Sequence, residues 1–129
     1  MNKPSDSDLL NLDCEARYDY FLGDVAENRE IWILVNASDF FLKIYSEDEN
    51  FDYLPIWSNK ELASAYAKDS TEPLKPKEIS LPEFLKKWIA GLEKDDLMVG
   101  VFPTLSDKTV WIMEPGELKD DINDELAQF

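Results

Sequence analysis

Asp48, Asn50 and Asp52 have the residue types and the spacing of the first three ligands of an EF-hand calcium loop. The match ends there. The sixth position of such a loop needs glycine for its sharp turn and is Tyr53, and the twelfth needs a bidentate glutamate and is Asn59. The stretch therefore reads as an acidic surface loop, and no metal ligand is assigned. The other chemistry-bearing residues close more routes than they open. Histidine is absent, which removes Ser–His–Asp and Cys–His pairs, the imidazole general base and the commonest transition-metal ligand. Cys14 is the single cysteine, so neither an intramolecular disulfide nor a Cys-rich zinc site can form. It falls on an apolar helix face, which predicts a buried, inert thiol. Gly23, Gly91, Gly100 and Gly116 are isolated, so there is no glycine-rich phosphate cradle. Asp6 and Asp8, like Asp95 and Asp96, have nothing nearby to desolvate them or separate their pKa values, and read as solvated tail and turn. No catalytic residue and no cofactor is assigned.

Binding offers more. The chain of 129 residues carries 28 acidic and 13 basic residues, a formal net charge of −15. Such a field repels nucleic-acid phosphates and anionic membrane surfaces. It favours a protein partner with a basic surface and speeds encounter with it; the plainer use of the same charge is solubility. Its sharpest local expression is a last helix on which Glu117, Asp120, Asp121, Asp124 and Glu125 surround a narrow apolar arc, with Lys119 the only cation. A charged run on a helix is usually a solvated face, yet this one is the best local candidate for electrostatic docking. Among the tryptophans, Trp32 and Trp111 lie in strand runs and Trp88 on an apolar helix face, where core packing is expected. Trp57 follows a proline and precedes a helix start, which would place it half-exposed at the rim of a groove.

The elements that position these residues follow from apolar periodicity. Residues 1–8 read as a loose acidic tail with no basic or apolar segment of a signal peptide, and the longest apolar runs, 31–35 and 97–102, cannot span a bilayer. The cytoplasm is the expected compartment. From Asp13, Cys14, Tyr18, Phe21, Leu22 and Val25 recur at helical spacing, with Asn28 and Arg29 as end signals. Residues 31–35 and 40–45 are strand-like on either side of a turn and suggest a hairpin. Residues 51–57 form a short strand-like piece that Pro55 demotes to an edge strand or an irregular approach. Ser58 with Glu61 reads as a capping box opening a helix to about Lys68. Residues 69–78, with Pro73 and Pro76, read as a loop. Ser80 with Glu83 opens a helix that buries Leu81, Phe84, Leu85, Trp88, Ile89 and Leu92. Residues 97–102 and 109–113 form a second hairpin, and Pro115 opens the final helix through Leu118, Ile122 and Leu126. The order α-β-β-β-α-α-β-β-α predicts one α+β domain with a mainly antiparallel sheet of about five strands. Phe21, Trp32, Phe84, Leu85, Trp88 and Val101 are expected in its core.

A set of these segments resembles a known family. Tyr18-Asp-Tyr-Phe-Leu22 leads into Glu30-Ile-Trp-Ile-Leu34, and Pro55-Ile-Trp57 is followed by Ala63 and Ala67. Then come Ile79-Ser-Leu-Pro-Glu-Phe-Leu85 with Trp88 and Leu92, and Val99-Gly-Val-Phe-Pro103. The series is similar to the small bacterial family called domain of unknown function 2750, from about Tyr18 to Leu126. The resemblance implies a bacterial origin and a compact α+β domain, and supplies no activity, cofactor or catalytic residue.

Three functions stay open on the sequence. One is a non-catalytic binding, inhibitor or immunity-type module that masks a basic partner through Glu117, Asp120, Asp121 and Asp124. Another is a regulatory or ligand-sensing domain with a groove near Trp57 and residues 102–103. The third is an enzyme working with carboxylates and lysines alone.

Overall fold

The computed structural model describes residues 12–46, 50–68, 70, 72–104 and 109–128. The expected acidic tail lies outside these, as do Asp48 of the calcium-like stretch and the tip of the second hairpin. Helix α1 (Cys14–Asn28) is capped by Asp13, whose carboxylate accepts the Ala16 N–H at 2.8 Å, and ends on Arg29 in the left-handed region. Strand β1 (Glu30–Val35) follows directly. Asn36 then folds the chain back, its side-chain oxygen accepting the N–H groups of Ser38 and Phe40. The turn is the predicted one, but the hairpin is not. Only a bridge between Val35 and Phe41 and the Leu42 N–H to Leu34 bond continue it. Strand β2 (Ile44–Ser46) pairs instead with β3 (Phe51–Ile56), and β1 pairs with β4 (Lys75–Ser80).

Strand β4 replaces the loop expected around Pro76. Among the described residues its only ladder neighbour is β1, so the position without an N–H can face off the sheet, where proline is tolerated. Pro55 is corrected too: β3 is interior rather than an edge, between β2 and β5 (Met98–Val101). The β2 ladder ends at Tyr53 and the next contact on that side is the Trp32–Trp57 bridge, so the missing donor of Pro55 falls in the gap between them. Six strands are therefore present among the described residues, in sheets of two (β1-β4) and four (β2-β3-β5-β6, where β6 is Trp111–Met113). The ladders are antiparallel except β3 with β5, which is parallel. The α+β class and its antiparallel bias hold.

Helix α2 (Lys60–Ala67) starts one residue later than the Ser58 reading, because Asn59 supplies the cap by accepting the Leu62 N–H at 2.9 Å. Ser80 does cap its helix, accepting the Glu83 N–H at 3.4 Å. That helix runs through α3 (Leu81–Glu83), a π-helical turn (Phe84–Trp88) and α4 (Ile89–Lys94). The wide turn is marked by the Ile89 N–H reaching back to the Phe84 carbonyl. Helix α5 (Pro115–Leu126) begins at the predicted proline and buries Leu118 and Ile122.

The helices bury Phe21, Val25, Leu62, Phe84, Ile89, Leu92 and Leu118 with Ile31, Ile33, Leu54, Ile56, Val99 and Val101 of the strands. Phe21, Phe84 and Val101 are in this core as expected, while Trp32, Leu85 and Trp88 pack against it only half-buried. The place expected for those tryptophans belongs to Trp57. Arg17, which apolar periodicity could not flag, is 1% exposed. Its guanidinium donates to the carbonyls of Phe102 (3.2 Å), Leu12 (2.8 Å) and Thr109 (2.9 Å). It thereby fastens α1 to the segment after β5. Gly100 is required by close approach, since a Cβ there would lie 2.4 Å from the Tyr53 ring.

Candidate functional site

Helix α4 ends in the tight turn Asp95–Asp96, from which Leu97 enters β5, and a cavity opens on each side of that turn. The first, of about 270 Å³, lies between the end of α4 and the start of α5. Glu93, Asp96 and Glu114 bring three carboxylates to it, Leu97 and Met98 are its apolar wall, and Pro115 and Gly116 close it. Among the described residues, no cationic side chain lines it. Glu117 accepts the Glu114 N–H at 3.3 Å, fixing the entry to α5 beside the cavity. The helix N-terminus lends this corner a partial positive charge that helps it carry so many acids. Among the described residues, no group of three or more acidic, histidine or cysteine side chains converges tightly enough to hold a metal ion.

The second cavity, of about 170 Å³, shares Leu97 with the first. Phe41 and Trp88 meet edge to face in its wall, with centroids 5.6 Å apart and planes at 66°. Leu92 and Leu97 continue the apolar surface, Gly91 leaves a gap in the helix, and Lys87 and Asp95 mark the two ends. Phe40 and Tyr45, among the described residues the large apolar ones most exposed at 70% and 54%, lie on the same excursion of chain as Phe41.

The acidic face of α5 is present in part. Glu117, Asp120 and Asp124 are exposed. Asp121 is not free for docking in the way expected: it is half-buried and accepts the Tyr18 hydroxyl at 2.5 Å. Tyr18 in turn stacks on Trp111, with centroids 4.7 Å apart. Burial, then the Asp121 hydrogen bond and charge, push the Tyr18 phenol far above its usual range. Trp57 is corrected outright. It is 0% exposed, its indole N–H donates to the Pro103 carbonyl at 3.1 Å, and its ring meets Tyr66. Its backbone pairs in both directions with Trp32, which with the Pro103 bond holds it inward, so it rims no groove. Cys14, expected buried, is half-buried.

On the two-stranded sheet, Glu30 and Glu78 form a second acidic pair. A hydrogen bond in which the protonated Glu78 carboxyl donates to Glu30, then the Glu30 charge, raises Glu78, and the Trp32 indole N–H also donates to Glu30 at 3.2 Å. The residues that sequence reasoning missed are Phe41, Gly91, Glu93, Asp96 and Glu114. Gly91 carried the available signal, being a glycine inside a strongly amphipathic helix. The others meet only through tertiary packing.

These features define a small α+β domain with an acidic cavity and an apolar cleft on either side of one turn. The chain belongs to the family described as "Protein of unknown function (DUF2750)", which it matches over residues 18–122. No curated protein matches it. Among the described residues no helix is long and apolar enough to cross a membrane.

Proposed function

We propose that the protein is a non-catalytic binding module for a protein partner with a basic surface, of the kind an inhibitor or immunity-type protein presents. The observation that carries this reading is the cavity of about 270 Å³ with Glu93, Asp96 and Glu114 in its wall and no cation among its described lining residues. A lysine or arginine side chain entering it would meet carboxylates on several sides while its stem covers Leu97 and Met98. Glu117, Asp120 and Asp124 extend the acidic surface along α5. The chain's net charge of −15 supports the same reading through long-range steering. A groove near Trp57 no longer competes, because that side chain is buried.

The test starts from capture of partners on the immobilised protein at low and at high salt. The captured protein is then purified and its association and dissociation timed against wild type and the Glu93→Gln/Asp96→Asn/Glu114→Gln variant. A basic partner whose association slows with salt and whose dissociation quickens with the triple substitution supports the proposal. An acidic partner, or an association rate flat from low to high salt, defeats it.

A further inference from the structure

Three irregularities of one helix converge on the cleft between Phe41 and Trp88. The first is Gly91. Glycine weakens a helix interior relative to alanine, and it is often explained by a neighbour too close for a side chain. Here a Cβ would meet nothing within 4 Å, so packing does not require it; what its absence leaves is the gap in the cleft wall. The second is the π-helical turn Phe84–Trp88, a distortion that recurs at functional sites and that ends on the tryptophan of the cleft. The third is Trp88 itself, left half-buried although core positions lie one turn away at Phe84 and Leu92.

The dimensions and charges say what belongs there. Small-molecule sites usually enclose some 300–1,000 Å³, whereas this cleft is about 170 Å³, the size of one large side chain. Lys87, Gly91 and Asp95 follow each other at four-residue spacing along one helix stripe. The gap therefore has a cation at one end and an anion at the other. Beyond Asp95 the negative potential grows, through Asp96 and Glu93 of the adjoining cavity.

We infer that the cleft over Gly91 takes an apolar or aromatic side chain of the partner, next to a basic residue that reaches toward Asp95 and the acidic cavity. The partner is thus recognised by a cationic segment with one apolar anchor. Lys87 sets its direction, since a basic residue on that side would meet a like charge. This inference rests on the basic-partner reading and adds the second half of the recognised motif.

The experiment uses a fluorescein-labelled peptide of four lysines around a central phenylalanine, its counterpart with serine in that place, and an uncharged peptide with the same phenylalanine. Binding is followed by fluorescence anisotropy with the full chain and with Gly91→Leu. That substitution puts a side chain into the gap and favours the helix, so its melting temperature should not fall. Wild type should hold the phenylalanine peptide about tenfold more tightly than the serine peptide, as burial of roughly half of such a side chain predicts. Gly91→Leu should abolish that preference and bind both lysine peptides as wild type binds the serine one. Equal binding of the two lysine peptides by wild type, or a preference that survives Gly91→Leu, overturns the apolar anchor and leaves the basic-partner reading standing. Failure of both lysine peptides to bind defeats the two together. Binding of the uncharged peptide as tightly as the charged one overturns the basic half of the motif.

Discussion

At the residue scale, Trp57 and Trp88 exchange the roles that their sequence contexts suggest. Trp88 lies on a periodic apolar face, which predicts burial, but a periodic face says nothing of how far the opposing surface extends. Phe41 covers Trp88 only edge-on. Trp57 sits in a Pro-Ile-Trp-Ser stretch with no periodicity to read, and its burial depends on the distant Pro103 carbonyl and Tyr66 ring. Truncation should separate them. Trp57→Ala is expected to lower stability by about 3–5 kcal/mol, as for a fully buried large aromatic, and Trp88→Ala by about half as much. Urea denaturation of the two variants decides the matter: equal losses would mean that Trp88 is as much a core residue as Trp57. Arg17 makes the same point about polar groups. A buried arginine that satisfies three backbone carbonyls leaves no pattern in the sequence. Replacing it by methionine would orphan those acceptors at about 1–3 kcal/mol for each fully buried one. The two that are only part-buried cost less, which puts the expected loss at about 2–4 kcal/mol by the same urea measurement.

Between elements, contacts are decided by partners far apart in sequence, and this is where the sequence was least legible. Helix α5 is a case in point. Its start at Pro115 and its buried Leu118 and Ile122 follow from local signals, whereas the Asp121 contact with Tyr18 of α1 does not. The same holds for β4, where Pro76, with Pro73 just before it, argues locally for a loop and pairing with the distant β1 makes a strand. Asp121 should thus behave unlike its neighbours. Glu117→Gln, Asp120→Asn and Asp124→Asn are exposed changes expected to alter stability by less than about 0.5 kcal/mol each. Asp121→Ala removes a charged acceptor from a part-buried hydroxyl and should cost about 1.5–3 kcal/mol. Thermal melts of the four variants would show whether Asp121 stands apart; if all four behave alike, the α1–α5 link contributes nothing measurable.

The tyrosines extend this to pH. Burial raises Tyr18, Tyr53 and Tyr66, with Tyr53 pushed up to about 12 by burial and then by its neighbour Tyr66. In the unfolded chain a phenol titrates near 10. Below that pH both states keep the proton and stability is unaffected. As pH rises past about 10 the unfolded chain releases protons that the folded one still holds, so stability falls. Denaturation midpoints should therefore be level from pH 7 to 9 and decline above about 10. Tyr18→Phe should flatten the decline, and a slope unchanged by that substitution would assign the alkaline lability to other groups.

For the molecule as a whole, the charge acts at two ranges that one set of measurements can separate. The diffuse field of the net charge reaches about 8 Å at physiological ionic strength and governs encounter. Glu117, Asp120 and Asp124 belong to this part, being exposed along α5. Neutralising them together should slow association with the captured basic partner and leave dissociation nearly unchanged. Glu93, Asp96 and Glu114 are exposed as well, but they line a cavity that a side chain can enter and cover. A cation held there is partly desolvated, so neutralising these three should chiefly hasten dissociation. Their effect should also persist at high salt, since short-range pairs are screened less than exposed ones. Stopped-flow association and dissociation rates for the two triple variants, from low to high salt, give four numbers per condition. If both variants change association alone, the cavity is only part of the acidic surface and holds no side chain. If the cavity variant changes dissociation and the α5 variant changes association, one face steers the partner and the other retains it.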